Sequence, residues 1–270
     1  MTKEQCVNYY LSNQNEFLGE EGNEKLTRLI KPLIKEINND LVVGIDVGSC
    51  IGDYAFHISD ICFEDSRKIL LFEPNPVNIQ VLEKRIKDIR NAKLLKHCIS
   101  DEEGRASIYN WKDSPENQAG NGVAGLRSGG QKICDVDVLR LDQVLEKEIK
   151  ADDFVIKFLK VDTEGNDTKI IKSLGKYLQK TNYIIFECSD CLDDIRGPQI
   201  ENPMQDIVEH LSCNGFDVYR IGSKKLLKVN DEFWDKKYEE VKFWSDCFAI
   251  KKTDPLIKEL INTEFTYINE

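Results

Sequence analysis

The segment LVVGIDVGSCIGDY, residues 41–54, decides the fold. Its first five residues are apolar, as in a strand that is buried on both faces, and Asp46 follows them. Gly48 and Gly52 then stand four residues apart. An apolar strand that passes through a glycine turn into a helix is typical of the first strand of a wound parallel sheet, where ligands bind at the carboxyl ends of the strands. The dinucleotide fingerprint needs a third glycine that this turn lacks, so a pyrophosphate ligand is disfavoured.

Composition excludes several classes of protein. The 270 residues are 41% hydrophobic, which is ample for a core, and 37 basic against 48 acidic residues give a net charge of -11. No basic run is dense enough to follow a phosphate backbone, so we expect no nucleic-acid partner. No apolar run reaches about eighteen residues and the start lacks a signal pattern, so we expect a cytoplasmic protein without a membrane partner. The oligomeric state stays open.

Two regions differ in pattern. Residues 1–40 space their apolar positions as helices do, which predicts an N-terminal helical extension before a single domain over residues 41–270. In that domain short apolar runs alternate with helical patterns, which predicts an α/β fold with a mostly parallel sheet. The predicted helices cover residues 53–61, 77–89, 167–178 and 204–214. Residues 104–139 break the alternation and predict an inserted β-hairpin, whose glycine-rich loop at 120–130 would suit a lid.

A second acid follows the second predicted strand, LLFEPNP. Glu73 lies 21 residues after Gly52, about where such folds place the acid that accepts ribose hydroxyls. Asp46 suits a cationic amino group or a hydroxyl, although Glu73 could also be an ordinary solvated acid at a turn. Two acids at adjacent strand ends, with no diphosphate to bind, indicate a nucleoside that carries an amino acid, namely S-adenosylmethionine.

Six motifs in order carry a family resemblance: DVGSCIG, FEPNP, CISDEEG, LRLDQVL, LKVDTEGND and IIFE, from about residue 41 to 187, with WSDCFAIK extending it to 251. The series resembles the FkbM family of S-adenosylmethionine-dependent methyltransferases. The resemblance implies a Rossmann-like class I methyltransferase fold, with seven strands of which the last is antiparallel. It also implies O-methylation of a sugar, a glycan or a natural product. Ser49 and Cys50 depart from the family, which usually has Ala and Asn there.

The resemblance also implies roles by position. Asp46, Gly48 and Gly52 would border the methionine moiety, Glu73 the ribose, and the end of the third predicted strand the adenine. The predicted cofactor-binding residues are Asp46, Gly48, Ser49, Gly52, Glu73, Pro74, Asn75, Ser100 and Asp101.

The fourth predicted strand, FVIKFLKVDTEGND, ends in alternating charged residues. Lys160, Asp162 and Glu164 are spaced by two, so they project from one face at the carboxyl edge, where the acceptor oxygen should lie. We predict that Asp162 is the general base or accepts the substrate hydroxyl, that Lys160 and Glu164 set its charge state, and that Glu187 joins from the next strand. In a simpler alternative Lys160 and Glu164 form a solvated pair and only Asp162 matters.

Other interpretations remain open at this stage. Asp162, Glu164 and Glu187 could bind Mg²⁺, although we favour a site without metal. The chain could be an NAD-dependent dehydrogenase, which would need the missing glycine, or a non-catalytic module that binds a nucleoside or a glycan. The expected partner of the favoured enzyme is a small-molecule or glycan acceptor, whose identity the residues do not give.

Overall fold

The computed structural model describes residues 1–17, 21–109, 122–123, 132–163, 165–188, 204–240 and 245–261. Its helices are α1 (Lys3–Ser12), α2 (Glu21–Ile30), α3 (Asp53–Ile61), α4 (Pro76–Arg85), α5 (Leu141–Glu148), α6 (Asp167–Lys172), α7 (Met204–Cys213), α8 (Lys237–Glu240) and α9 (Leu256–Leu260). Its strands are β1 (Leu41–Val47), β2 (Arg67–Phe72), β3 (Ala92–Leu95), β4 (Cys98–Ser100), β5 (Gly104–Tyr109), β6 (Gly122–Val123), β7 (Lys132–Arg140), β8 (Phe154–Val161), β9 (Thr181–Cys188), β10 (Phe216–Ile221), β11 (Leu226–Lys228) and β12 (Ser245–Lys251). Within these ranges no helix is long and apolar enough to span a bilayer.

The main sheet has the strand order β11-β10-β12-β9-β8-β1-β2-β3. Strands β3, β2, β1, β8 and β9 are parallel, whereas β12 is antiparallel to both of its neighbours, as predicted for the last strand. The predicted count of seven strands is one too few, because β11 adds an antiparallel edge strand beside β10. That strand is only three residues long, so it carries too little alternation to be recognised in the sequence.

A second sheet holds the inserted hairpin. Its order is β4-β7-β5-β6, and β5 pairs antiparallel with β7, which confirms the predicted hairpin. The third predicted strand, the apolar run AKLLKHCIS at residues 92–100, was wrong as a single element. It divides after Leu95, so that β3 joins the main sheet and β4 pairs with β7. Ser100 therefore ends a strand of the second sheet, and Asp101 follows it. The loop predicted as a lid lies outside the described residues apart from 122–123.

Two apolar clusters cover the two faces of the main sheet. Successive residues of β1 alternate between them, with Val43 in one cluster and Val42 in the other, and every residue of β8 is buried. Helices on both faces produce this pattern, since a parallel sheet exposed on one face would leave alternate residues in water. The polar side chains of the site come from the ends of these apolar strands.

The N-terminal helices pack on both clusters. Tyr10 of α1 belongs to one, and Leu26 and Ile30 of α2 belong to the other. Helix α2 ends at Ile30 because Pro32 disfavours helical geometry in the residue before it. The predicted boundary at residue 40 stays a prediction.

Two other predicted helices are each divided into an α-helix and a 3-10 segment. The helix predicted over residues 77–89 consists of α4 followed by a 3-10 turn, and the helix predicted over residues 167–178 consists of α6 followed by the 3-10 helix Gly175–Lys180.

Candidate active site

The turn between β1 and α3 is folded against its two neighbours. The N–H groups of Gly48 and Ser49 both donate to the carbonyl of Phe72 at 3.0 Å, at the end of β2. Gly48 has a φ of 85°, and a Cβ there would lie 1.8 Å from the carbonyl oxygen of Asp162. The glycine is therefore required by the backbone that follows β8. Gly52 is the N-cap residue of α3, and a Cβ there would collide with Leu82 of α4 at 2.5 Å.

Asp46 occupies the end of β1, opposite Lys160 of β8. It is fully buried, and among the described residues neither carboxyl oxygen has a hydrogen-bond partner. Burial raises the pKa of Asp46 to about 6, although the Lys160 ammonium opposes that rise. A buried carboxyl group without a donor is costly to the fold, and a cationic or hydroxyl-bearing ligand would relieve that cost.

Glu73, at the end of β2, connects two turns. Its Oε1 accepts the N–H of Asn75 and its Oε2 accepts the N–H of Cys50, each at 2.8 Å. Burial raises the pKa of Glu73 to about 7, while these hydrogen bonds oppose the rise. The side chain is only 5% exposed, so the alternative of a solvated surface acid is wrong. The Asn78 side chain also donates a hydrogen bond to this carboxylate, which leaves one of its about four lone-pair sites for a hydroxyl.

The residues after Glu73 start the next helix. Pro74 is half-buried, and Asn75 caps α4 by accepting the N–H of Val77 at 3.0 Å. Pro76 stands at the first helical position, where its missing N–H costs nothing. This cap fixes the direction in which the chain leaves Glu73.

Lys160, which is buried, and Asp162, which is half-buried, form an ion pair at the end of β8. The Lys160 Nζ lies 2.8 Å from Asp162 Oδ2 and 5.1 Å from the centre of the Tyr54 ring. Burial alone would lower the pKa of Lys160, but the charges of Asp162 and Asp46 outweigh it and hold this pKa well above its usual value. The Asp162 side chain is 23% exposed, so it is the more accessible partner. The alternative of a solvated Lys160 is therefore excluded.

The next two strands add further acids. Glu187 of β9 is buried, and in the register its Cα partner is Asp246 of β12, which is also buried. The charge of Asp246 also supports the raised pKa of Lys160, which places it near the ion pair. Sequence reasoning missed Asp246, although it lies in the quoted WSDCFAIK segment. Glu164 lies outside the described residues.

No group of three His, Cys, Asp or Glu side chains suited to a metal ion occurs within the described part of the chain. The Mg²⁺ alternative depends on Glu164, so it stays untested.

Ser100 and Asp101 lie near the start of α6. The Ser100 hydroxyl is 3.1 Å from Asp101 Oδ1 and 3.3 Å from Asn166 Oδ1. Burial raises the pKa of the Cys98 thiol to about 12, and the charge of Glu73 adds to this rise. Strand β4 is thus close to Glu73, as an adenine site beside a ribose site would require.

Asp167 is a second acid that sequence reasoning missed. Its Oδ2 accepts the Thr163 hydroxyl at 3.1 Å and the Gly165 N–H at 3.2 Å. Burial, followed by the charge of Asp162, raises the pKa of Asp167 to about 7. It shapes the loop that follows Asp162. The sequence shows Asp167 as an acid at the start of a predicted helix, and such an acid usually only stabilises the helix end.

These residues fit S-adenosylmethionine by their chemistry. Asp46 offers a buried carboxyl group with no protein donor among the described residues, which suits the ammonium of an amino acid. Glu73 offers a buried carboxylate with a lone pair left at the neighbouring strand end, which suits a ribose hydroxyl. The Lys160–Asp162 ion pair lies beside Asp46, so a carboxylate that could accept the proton of a substrate hydroxyl lies next to the expected cofactor site.

Comparisons with known proteins agree with this fold. The sequence model of the family described as "Methyltransferase FkbM domain" matches residues 46–218. The crystal structure of methyltransferase FkbM from Methylobacillus flagellatus KT superposes with a TM-score of 0.51 at 14% identity, covering 91% of this chain and 52% of that chain. The chain therefore spans about half the length of that protein.

Two further structures are similar at a lower level. One is an O-methyltransferase from Bacillus cereus in complex with SAH, with a TM-score of 0.43 and 11% identity, covering 93% of this chain and 90% of that chain. The other is an Aeropyrum pernix fibrillarin with natively bound S-adenosyl-L-methionine, with a TM-score of 0.41 and 12% identity, covering 84% of this chain and 74% of that chain. No curated protein matches the chain by sequence. At these identities the structural likeness concerns the fold alone, which is the Rossmann-like fold of class I methyltransferases.

Proposed function

Because the chain belongs to the FkbM methyltransferase family, we propose that it is an S-adenosylmethionine-dependent O-methyltransferase acting on a hydroxyl of a sugar, a glycan or a natural product. One observation carries the proposal: the buried carboxyl group of Asp46 adjoins the Lys160–Asp162 ion pair. A methyltransferase needs a cofactor site and a polar group for the acceptor side by side. Membership of this family leaves the dehydrogenase alternative without support.

The cofactor-binding residues divide by chemistry. Asp46 would hold the ammonium group, Glu73 a ribose hydroxyl, and Ser100 with Asp101 the adenine. Bound S-adenosylmethionine supplies an electrophilic methyl group on its sulfonium. The turns formed by Gly48, Ser49, Gly52, Pro74 and Asn75 hold the two acids in place.

Asp162 would take the proton of the acceptor hydroxyl. Its ion pair with Lys160 keeps the carboxylate oriented at 2.8 Å, and Glu187 on the adjacent strand would bind the acceptor. Holding the acceptor oxygen in line with the methyl group can lower the activation barrier by about 7–11 kcal/mol. A positioned general base increases the rate by roughly a further hundred- to ten-thousandfold. Glu164 remains in the proposal as a second influence on the charge of Asp162, and the proposal requires no metal.

The test combines binding and turnover. Polyols and simple glycosides are screened for release of S-adenosylhomocysteine, with S-adenosylmethionine affinity measured by calorimetry. Asp162→Asn should abolish turnover and leave cofactor affinity within a few-fold, whereas Asp152→Asn, an exposed acid before β8, should behave as the wild type. Preserved turnover in Asp162→Asn would reject its role. Cofactor binding without turnover on any acceptor would favour the non-catalytic module.

Three wider expectations belong to the same proposal. We place the enzyme in the cytoplasm, and we expect no nucleic-acid partner because of its acidic composition. We also keep the division into a helical extension over residues 1–40 and a methyltransferase domain over residues 41–270.

A further inference from the structure

Helix α2, from the segment that no motif covers, packs at the same sheet edge as the site. A Cβ on Gly22 would lie 2.8 Å from the side chain of Ile221 and 2.9 Å from the carbonyl oxygen of Gly222. Ile221 ends β10, which runs in the same direction as β9 because each is antiparallel to β12. The first turn of α2 is therefore pressed onto the carboxyl edge of the sheet.

A chain of contacts joins α2 to the ion pair. The Thr27 hydroxyl donates to the carbonyl of Asn23 at 2.7 Å, so the Tyr54 hydroxyl must donate to Thr27 Oγ1, 2.6 Å away. The ring of Tyr54 faces the Lys160 ammonium at 5.1 Å, and Lys160 holds Asp162. The face of α2 that carries Asn23 and Thr27 is thus three contacts from the proposed base.

The side-chain amide of Asn23 is buried on that face. The residue is 2% exposed, and neither Oδ1 nor Nδ2 has a hydrogen-bond partner in the part of the chain that the structure describes. Leaving such a group unsatisfied destabilises the fold. Its helical neighbours Leu26 and Ile30 are buried and apolar, so a leucine of similar volume would be cheaper for the fold. The amide is best explained by a ligand that it binds.

We propose that α2 forms a wall of the acceptor site and that the Asn23 amide binds a hydroxyl pair of an uncharged, polyhydroxylated acceptor. This inference rests on the proposed function and narrows its acceptor class. The amide offers both an acceptor and donors, which neighbouring hydroxyls match. An anionic acceptor would meet Asp162, whose charge would repel it, while Lys160 is already engaged by that carboxylate.

The test uses methyl α-glycosides of glucose, galactose, mannose and rhamnose as probes. Each is titrated against the full-length protein in complex with S-adenosylhomocysteine, and the affinity is measured by saturation-transfer NMR. We expect at least one glycoside to bind the wild type. Asn23→Leu should weaken that binding at least tenfold, while S-adenosylhomocysteine affinity changes less than twofold and Tm does not fall. Asn182→Leu, at the opposite edge of the sheet in β9, should bind as the wild type.

A second measurement does not depend on the variant folding. In wild-type protein labelled with ¹⁵N, the side-chain amide signal of Asn23 should shift saturably in the same titration. Failure of all four glycosides to bind, wild-type affinity in Asn23→Leu, or an unmoved Asn23 signal would each overturn the inference. An amide that only holds an internal water would give the second of these results.

The proposed function fails in a different way. If the wild type does not bind S-adenosylhomocysteine in calorimetry, the cofactor assignment is refuted, and titration of the glycosides into the ligand-free chain then decides the role of Asn23.

Discussion

Asp46→Asn should remove a pH-dependent cost from the ligand-free fold. Burial raises the pKa of Asp46 to about 6 from an ordinary value of 3.8, a rise of about 2 units. Each unit corresponds to about 1.4 kcal/mol, so ionising Asp46 in the folded chain costs on the order of 3 kcal/mol. The neutral acid favours folding, so this stability is fully present below about pH 4 and is lost as the pH rises through about 6.

The assay is urea unfolding of the wild type and Asp46→Asn, without cofactor, at about pH 4.5 and pH 8. Between these values the free energy of unfolding of the wild type should fall by about 2 kcal/mol relative to that of the variant. Other buried acids titrate in both proteins, so their effects cancel in the difference. A difference that stays the same at both pH values would refute the reasoning, because it would mean that Asp46 keeps one charge state.

Three further substitutions test other parts of the structure. Glu73→Ala should weaken S-adenosylmethionine binding more than tenfold in calorimetry, and equal binding would contradict the ribose assignment. Gly48→Ala should lower the free energy of unfolding in urea by about 3 kcal/mol or more, because the new Cβ would clash with the backbone after β8 and the residue has a positive φ. The control Gly104→Ala has open space around it and should change this free energy by less than about 1 kcal/mol. Lys157→Met leaves the buried carboxylate of Glu64 uncompensated, so it should lower the free energy of unfolding by about 3–5 kcal/mol. The control Lys31→Met breaks an exposed ion pair and should lower it by less than about 1 kcal/mol. Equal losses in the two variants would show that burial of the ion pair is unimportant.

The sequence was sufficient for most of the fold. The apolar runs and the helical patterns between them predict the wound sheet, and the ordered motifs predict the family, which the comparisons confirm. Two misses in the sheets have identifiable causes. Strand β11 is too short to show a pattern, and β4 follows β3 so closely that residues 92–100 resemble one strand. Only pairing with β7 separates β4 from β3, and such long-range pairing is not encoded in local periodicity.

The site was predictable where parallel strands end. Asp46, Glu73 and Asp162 follow apolar runs, so the rule that ligands bind at carboxyl ends places them together. Asp246 escapes this rule because β12 is antiparallel and brings its beginning to the same edge. Asn23 escapes it because its position depends on how α2 packs against β10. The reason for Gly48 also needed the structure, since the crowding comes from a distant segment.

A crystal structure of the complex with S-adenosylhomocysteine tests the central claim most directly. The claim predicts the amino group of the ligand against the Asp46 carboxylate, a ribose hydroxyl against Glu73, and the sulfur facing Asp162. Ligand density away from the ends of β1 and β2, or a ribose that contacts neither oxygen of Glu73, would contradict it.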